Sequence, residues 1–194
     1  MKNHRLRILS LVALAAALIS AGCSINVKKN DQGQEKKVDI DTPFGGIHVS
    51  KGADVRDTGL PVYPGARLKA KGDSDDEKSA NVDISTSEFG LKVIALNYET
   101  DDAPDKVITY YKDQLKKYGS VLECHTQGRR ADYSHHSGKS DSDQLTCEGD
   151  NSGKTIELKV GTEGNQHIVA IDPQAKGSDF ALVYVRMRGK EGTI

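Results

Sequence analysis

The sequence predicts an α+β domain, a mostly antiparallel sheet with one amphipathic helix packed on one face. Short segments in which apolar and polar residues alternate recur along the chain, and turn-forming residues separate them. A single stretch, Ala103 to Tyr118, instead repeats apolar residues at spacings of three and four. Runs of strand signals with one helix among them suit an α+β arrangement rather than a regular alternation of strand and helix. No internal repeat is evident.

The first 22 residues stand apart from this domain. Lys2, Arg5 and Arg7 precede an apolar run from Ile8 to Ile19 that only Ser10 interrupts. A cationic head and a short greasy middle are the marks of an export signal. The run is too short for a membrane-spanning helix, which needs about 20 apolar residues. The polar stretch that follows, Ser24 to Lys37, has little to bury, and its composition predicts a disordered tether over 23–37.

The domain itself is expected over 38–190. Val38 and Ile40 alternate with Asp39 and Asp41, and Ile47 and Val49 alternate with His48 and Ser50, which predicts two strands on either side of a turn at Pro43 to Gly46. Pro61, Pro64 and Gly65 punctuate the next segment, and a short strand is predicted over Ala66 to Ala70, with Pro64 at an edge or bend. Gly72 to Ser79 reads as an acidic hairpin loop. Strands over Asn81 to Ser85 and Leu91 to Tyr98 follow as an antiparallel meander.

The helix is predicted with Asp101 or Asp102 as cap, Pro104 in the first turn and Gly119 as a left-handed stop. Val107, Ile108, Tyr111, Leu115 and Tyr118 form its apolar stripe, while Asp105 and the late lysines complement its dipole. Five more strands are predicted over Val121 to Thr126, Gln144 to Glu148, Thr155 to Val160, Ile168 to Asp172 and Phe180 to Met187. Residues 191–194 are left as a tail. Aromatic residues make up 5% of the chain and there is no Trp, so the core must rest on Val, Ile, Leu and Tyr.

Charge excludes one class of partner. The 27 basic and 28 acidic residues balance to a formal −1, and to −4 once the three cations of the leader are gone. Nucleic acid is not an expected partner of such a chain.

Three cysteines carry the clearest chemistry. Cys23 follows Ile19-Ser20-Ala21-Gly22, small residues closing the apolar run. This pattern resembles the lipobox of bacterial lipoproteins, although Ser20 stands where that family prefers leucine. The resemblance implies that the signal is cut before Cys23, that its thiol carries lipid, and that the membrane is a partner. Two or more acyl chains anchor a protein stably where one does not. Ser24, where an aspartate would favour retention at the inner membrane, implies placement at the outer membrane. Cys124 and Cys147, on predicted strands flanking a long polar loop, are expected to pair in an oxidising compartment. Their spacing is far too long for a C-x-x-C redox motif.

The loop from Gln127 to Ser142 holds Arg129, Arg130, Asp132, Tyr133, His135, His136 and Asp141, with Asp143 just beyond. Such a set admits a hydrolase using His and Asp side chains of 127–143, or a metal site using His125, His135 and His136. Against the second, adjacent histidines in a Gly/Ser-rich loop point their rings apart, so no metal or other cofactor is expected. The sequence has no G-x-S-x-G or H-E-x-x-H motif, and its glycine-rich pieces lack a phosphate-loop setting. The acidic DSDDE lacks the ligand order of a calcium loop.

The order Leu60-Pro-Val-Tyr-Pro-Gly-Ala66, an acidic turn with strands, and Asp102 to Gly119 is similar to small bacterial envelope lipoproteins over about residues 60 to 185. That resemblance implies no activity. The expectation is a lipid-anchored, non-enzymatic envelope module that binds or scaffolds an envelope protein partner, with the periplasmic hydrolase as its alternative.

Overall fold

Alternation along the chain becomes a single sheet of ten strands in which every pairing is antiparallel. The computed structural model describes residues 23–29, 35–50, 52–69, 79–127, 144–147 and 149–189. The strands are β1 (Ser24–Lys29), β2 (Glu35–Thr42), β3 (Gly45–Ser50), β4 (Arg67–Leu68), β5 (Ser79–Thr86), β6 (Phe89–Thr100), β7 (Leu122–Thr126), β8 (Thr155–Thr162), β9 (Asn165–Pro173) and β10 (Ser178–Gly189). Their order is β1-β2-β3-β5-β6-β10-β9-β8-β7, with β4 pairing β6 off this path. The one α-helix among the described residues, α1 (Pro104–Leu115), lies between β6 and β7 in the chain.

Tight turns fix the register. Pro43 and Phe44 alone separate β2 from β3, so Asp39 pairs with His48 and Ile40 with Ile47. Thr42 ties this turn from its side chain, donating to the Gly45 carbonyl (2.8 Å). The β9–β10 turn ends at Gly177, whose φ of 76° suits glycine. A Cβ there would sit 2.0 Å from the Thr100 carbonyl oxygen, so the close approach to the end of β6 also demands its absence.

Because strand side chains alternate, register sorts every residue onto one of two faces. Ile94, Leu96 and Tyr98 of β6 lie level with Leu182 and Phe180 of β10, Val169 and Ile171 of β9, and Ile156 and Leu158 of β8. All are buried on this first face, in one cluster that also takes Val107, Tyr111 and Leu115 of α1 and Leu60 and Tyr63. Tyr111 bridges the segment before β4: its hydroxyl accepts from the Tyr63 N–H (3.0 Å) and donates to the Pro61 carbonyl (3.2 Å).

The faces change character along the sheet. On the first face, β2, β3 and β5 carry Lys37, Asp39, His48, Ser50, Asn81 and Asp83. On the second face the same strands carry Val38, Ile40, Ile47, Val49, Val82 and Ile84, and β1 adds Ile25 and Val27.

Several sequence expectations need correction. Of the stretch read as a flexible tether, 23–37, residues 24–29 and 35–37 are instead built into the sheet as β1 and the start of β2, while 30–34 lie outside the described residues; Ile25 and Val27 alternate with Asn26 and Lys28 and pair with Ile40 and Val38. The predicted strand over Gln144 to Glu148 is reduced to one bridge, Gln144 to Thr162. The strand over Ala66 to Ala70 shrinks to Arg67–Leu68. Ala103, not Asp101 or Asp102, is the helix cap residue. Asp102 is occupied elsewhere, accepting from the Tyr63 hydroxyl (2.9 Å) and the Lys106 ammonium (2.7 Å).

The helix also ends differently from expectation. It tightens into a 3-10 turn over Lys116–Tyr118, and Gly119 adopts φ 137°, ψ −160° rather than the left-handed cap. The Tyr118 hydroxyl donates to the Gly59 carbonyl (2.6 Å), a tertiary bond that holds this last turn. Tyr118 is correspondingly 37% exposed instead of completing the buried stripe. The leader 1–22, the acidic loop 70–78 and residues 190–194 lie outside the described residues.

Candidate functional site

Two of the three cysteines pair, as expected of Cys124 and Cys147. Cys124 of β7 and Cys147 are joined, with Cα atoms 5.4 Å apart, and Cys124 is fully buried. Cys23 is free and exposed, immediately before β1. The bond fastens the segment 144–147 to the outermost strand, β7, at that end of the sheet.

Of the loop residues singled out in the sequence, Arg129, Arg130, Asp132, Tyr133, His135, His136, Asp141 and Asp143 lie outside the described residues. His125 is on β7, its Nε2 3.5 Å from Glu123 Oε1. Glu123 also pairs with Lys112 of α1, whose ammonium holds its carboxyl below the usual range. Among the described residues no three His, Cys, Asp or Glu side chains gather as a metal would require.

A polar cluster that sequence reasoning passed over lies on the first face of β2, β3 and β5. The β2–β3 register sets Asp39 opposite His48, with Asp39 Oδ1 2.9 Å from His48 Nδ1, and Lys37 Nζ lies 3.0 Å from Asp39 Oδ2. Hydrogen bonds from His48 and then Lys37 hold the Asp39 carboxyl below its ordinary pKa. Nε2 of the same ring lies 3.7 Å from Asp41 Oδ1.

The imidazole thus lies between two carboxylates, and the nearer of them is shared with Lys37. The adjoining cleft, lined by Lys37, His48, Ser50, Asn81, Asp83 and Lys92, holds about 150 Å³. Sites for drug-sized ligands hold about 300–1,000 Å³, so this one would admit only a small polar group. The signal in the sequence was the two-residue turn, which pairs position 39 with 48 once it is centred on Pro43 and Phe44.

A broader, shallow groove of about 530 Å³ runs beside the start of α1, lined by Tyr63, Pro64, Asp102, Asp105, Lys106, Thr109 and Tyr110. Its acid Asp102 is already held by Lys106 and Tyr63, whose hydrogen bonds put its carboxyl below the usual pKa. The groove therefore offers aromatic surface and a satisfied ion pair rather than a reactive group.

The second histidine of interest is structural. His167 of β9 stacks between Tyr118 (3.9 Å between ring centres) and Tyr184 (4.9 Å). Its Nδ1 lies 2.9 Å from the Thr58 carbonyl oxygen, which can only accept, so Nδ1 carries the proton in the neutral ring. Burial pushes its pKa below 6.5. The unfolded chain thus binds a proton here that the folded chain resists. Stability from this group is full above about pH 6.5 and falls as pH drops through the folded value. Urea titrations of wild type and His167→Gln at pH 7.5 and pH 5 check this: the wild type is expected to lose more stability between the two pH values than the variant.

No protein-family model matches the chain, and neither a curated protein nor a solved structure matches it.

Proposed function

We propose that this chain is a lipid-anchored bacterial envelope protein whose α+β domain binds or scaffolds a partner and catalyses no reaction. In this reading α1 covers the first face of the sheet, and the domain stands outside the cytoplasm at the outer membrane. The observation that carries it is the succession of Lys2, Arg5 and Arg7, the apolar run to Ile19, and Ala21-Gly22-Cys23. Two features support it. Cys23 is exposed and free while Cys124 and Cys147 are bonded, the distribution expected of one cysteine reserved for modification and two for stability. The best-formed polar cluster, at His48, is hydrogen-bonded within itself and opens on a cleft too small for an extended substrate.

Mass spectrometry of the mature chain and fractionation of Cys23→Ser test the reading together. The native product is expected to begin at Cys23 with acyl chains attached and to sediment with membranes, whereas Cys23→Ser should move almost wholly to the soluble or precursor fraction. A native chain that begins elsewhere, or that bears an unmodified thiol at Cys23, would overturn it.

A further inference from the structure

We propose that the second face of the sheet, across β1, β2, β3, β5, β6 and β10, rests directly on the lipid bilayer. The inference deepens the lipid-anchor reading, and its orientation argument rests on that reading. Strands β1, β2, β3 and β5 contact chiefly their sheet neighbours, with no described element laid across them. Their second-face positions from Val38 to Ile40, Ile47 to Val49 and Ala80 to Ile84 carry no charge. Ile25 is 67% exposed, Phe89 43% and Met187 42%.

The patch is large for a water-facing surface. Six strands about 4.8 Å apart, each contributing about six residues of 3.3 Å, span roughly 600 Å². That is the upper end of the largest apolar patch on an ordinary monomer, about 300–600 Å². Polar residues close it at one end, where Arg67 pairs with Glu99 (3.4 Å) and Lys69 with Asp179 (2.6 Å). Lys37, Asp39, His48 and Asp83 lie on the opposite face.

Geometry selects the occupant. Cys23 stands one step before β1, and continuing the alternation of β1 back through it would set its side chain on the side of Ile25 and Val27. Acyl chains on its sulfur therefore leave the sheet in the direction the apolar face looks. The tether that would hold the domain away from lipid is absent, because Ser24 already belongs to β1. Anchoring makes the contact between this face and the membrane intramolecular, so even weak apolar attraction suffices to keep it closed. A second copy of the chain would need to meet about 800 Å² on each partner without that advantage.

The chain lacks tryptophan, so one introduced Trp is a unique reporter. The mature acylated protein is reconstituted into phosphatidylcholine vesicles with brominated acyl chains, carrying Val49→Trp or Ser50→Trp, adjacent residues on opposite faces. Ile47→Trp serves as a second reporter on the apolar face should Val49→Trp fold poorly. Emission from Val49→Trp is expected to shift to the blue and fall at least twofold in brominated lipid, while that of Ser50→Trp stays unchanged. Equal quenching at both positions, or none at either, overturns the proposal. So does a blue-shifted but unquenched Val49→Trp in a chain that cross-links as a dimer, which would assign the face to a second copy. If Cys23 proves unmodified, the same reporters on the unacylated chain at high vesicle concentration judge the face alone: quenching confined to Val49→Trp upholds it, and its absence overturns it.

Discussion

Phe180→Ala unfolds about 3–5 kcal/mol more easily than wild type, the range for removing a buried aromatic ring. Phe180 is 3% exposed at the start of β10 and meets three tyrosines. Tyr98 stacks on it at 5.5 Å between centres, Tyr111 lies at 5.6 Å and Tyr63 at 6.3 Å. The cavity would open where β6, α1 and the segment before β4 converge. It cannot collapse cheaply, because Tyr111 is fixed by its two hydroxyl bonds to that segment. The check is a urea titration in which the midpoint falls and the slope is unchanged. Phe180→Leu, which keeps much of the volume, is expected to cost less than half as much.

Loss of the Cys124–Cys147 bond is the second large effect. The bridge spans a sequence separation of 23, and closing a loop of that length in the unfolded chain contributes about 3 kcal/mol in the chain-entropy model. The paired replacement Cys124→Ala with Cys147→Ala should lose about that amount. Reductant should bring wild type down to the same level and leave the double variant unmoved. The pairing of those two results separates the covalent contribution from packing, since Cys124 is fully buried and its replacement also removes a sulfur from the interior. A wild-type protein indifferent to reductant would show that the bond is absent or adds nothing.

The centre of this sheet was legible in the sequence because both of its signals were strong. Long alternating runs such as Leu91 to Tyr98 and Phe180 to Met187 became β6 and β10, and the Val107, Tyr111 and Leu115 spacing became the buried side of α1. What failed was local sequence whose fate is decided by distant partners. Ser24 to Lys29 has only two apolar residues among lysines and reads as solvated spacer; pairing with Val38 and Ile40 makes it a strand. Asp102 is a good capping residue by type, yet Tyr63, far away in sequence, claims its carboxylate.

The candidate polar cluster was hidden for a related reason. Alternation puts Asp39 and His48 among the polar positions of two separate strands, and only the exact centre of the turn between them makes them neighbours. The pairing of Cys124 with Cys147 was legible because a covalent bond depends on few partners. The exchange of polar and apolar character between the two faces required strand order, and β10 inserting between β6 and β9 is not written in any single segment.

That insertion has a kinetic corollary. The middle of the sheet is completed by the last of the described strands, β10, which joins β6 to the β9-β8-β7 group. A polypeptide delivered amino terminus first can form the β2–β3 and β5–β6 hairpins early, but these remain a separate ribbon until the final segment arrives. Such long-range closure is slow relative to local pairing, so any shortened product ending before Ser178 would hold two unjoined halves, with Tyr98 and Ile171 open to water.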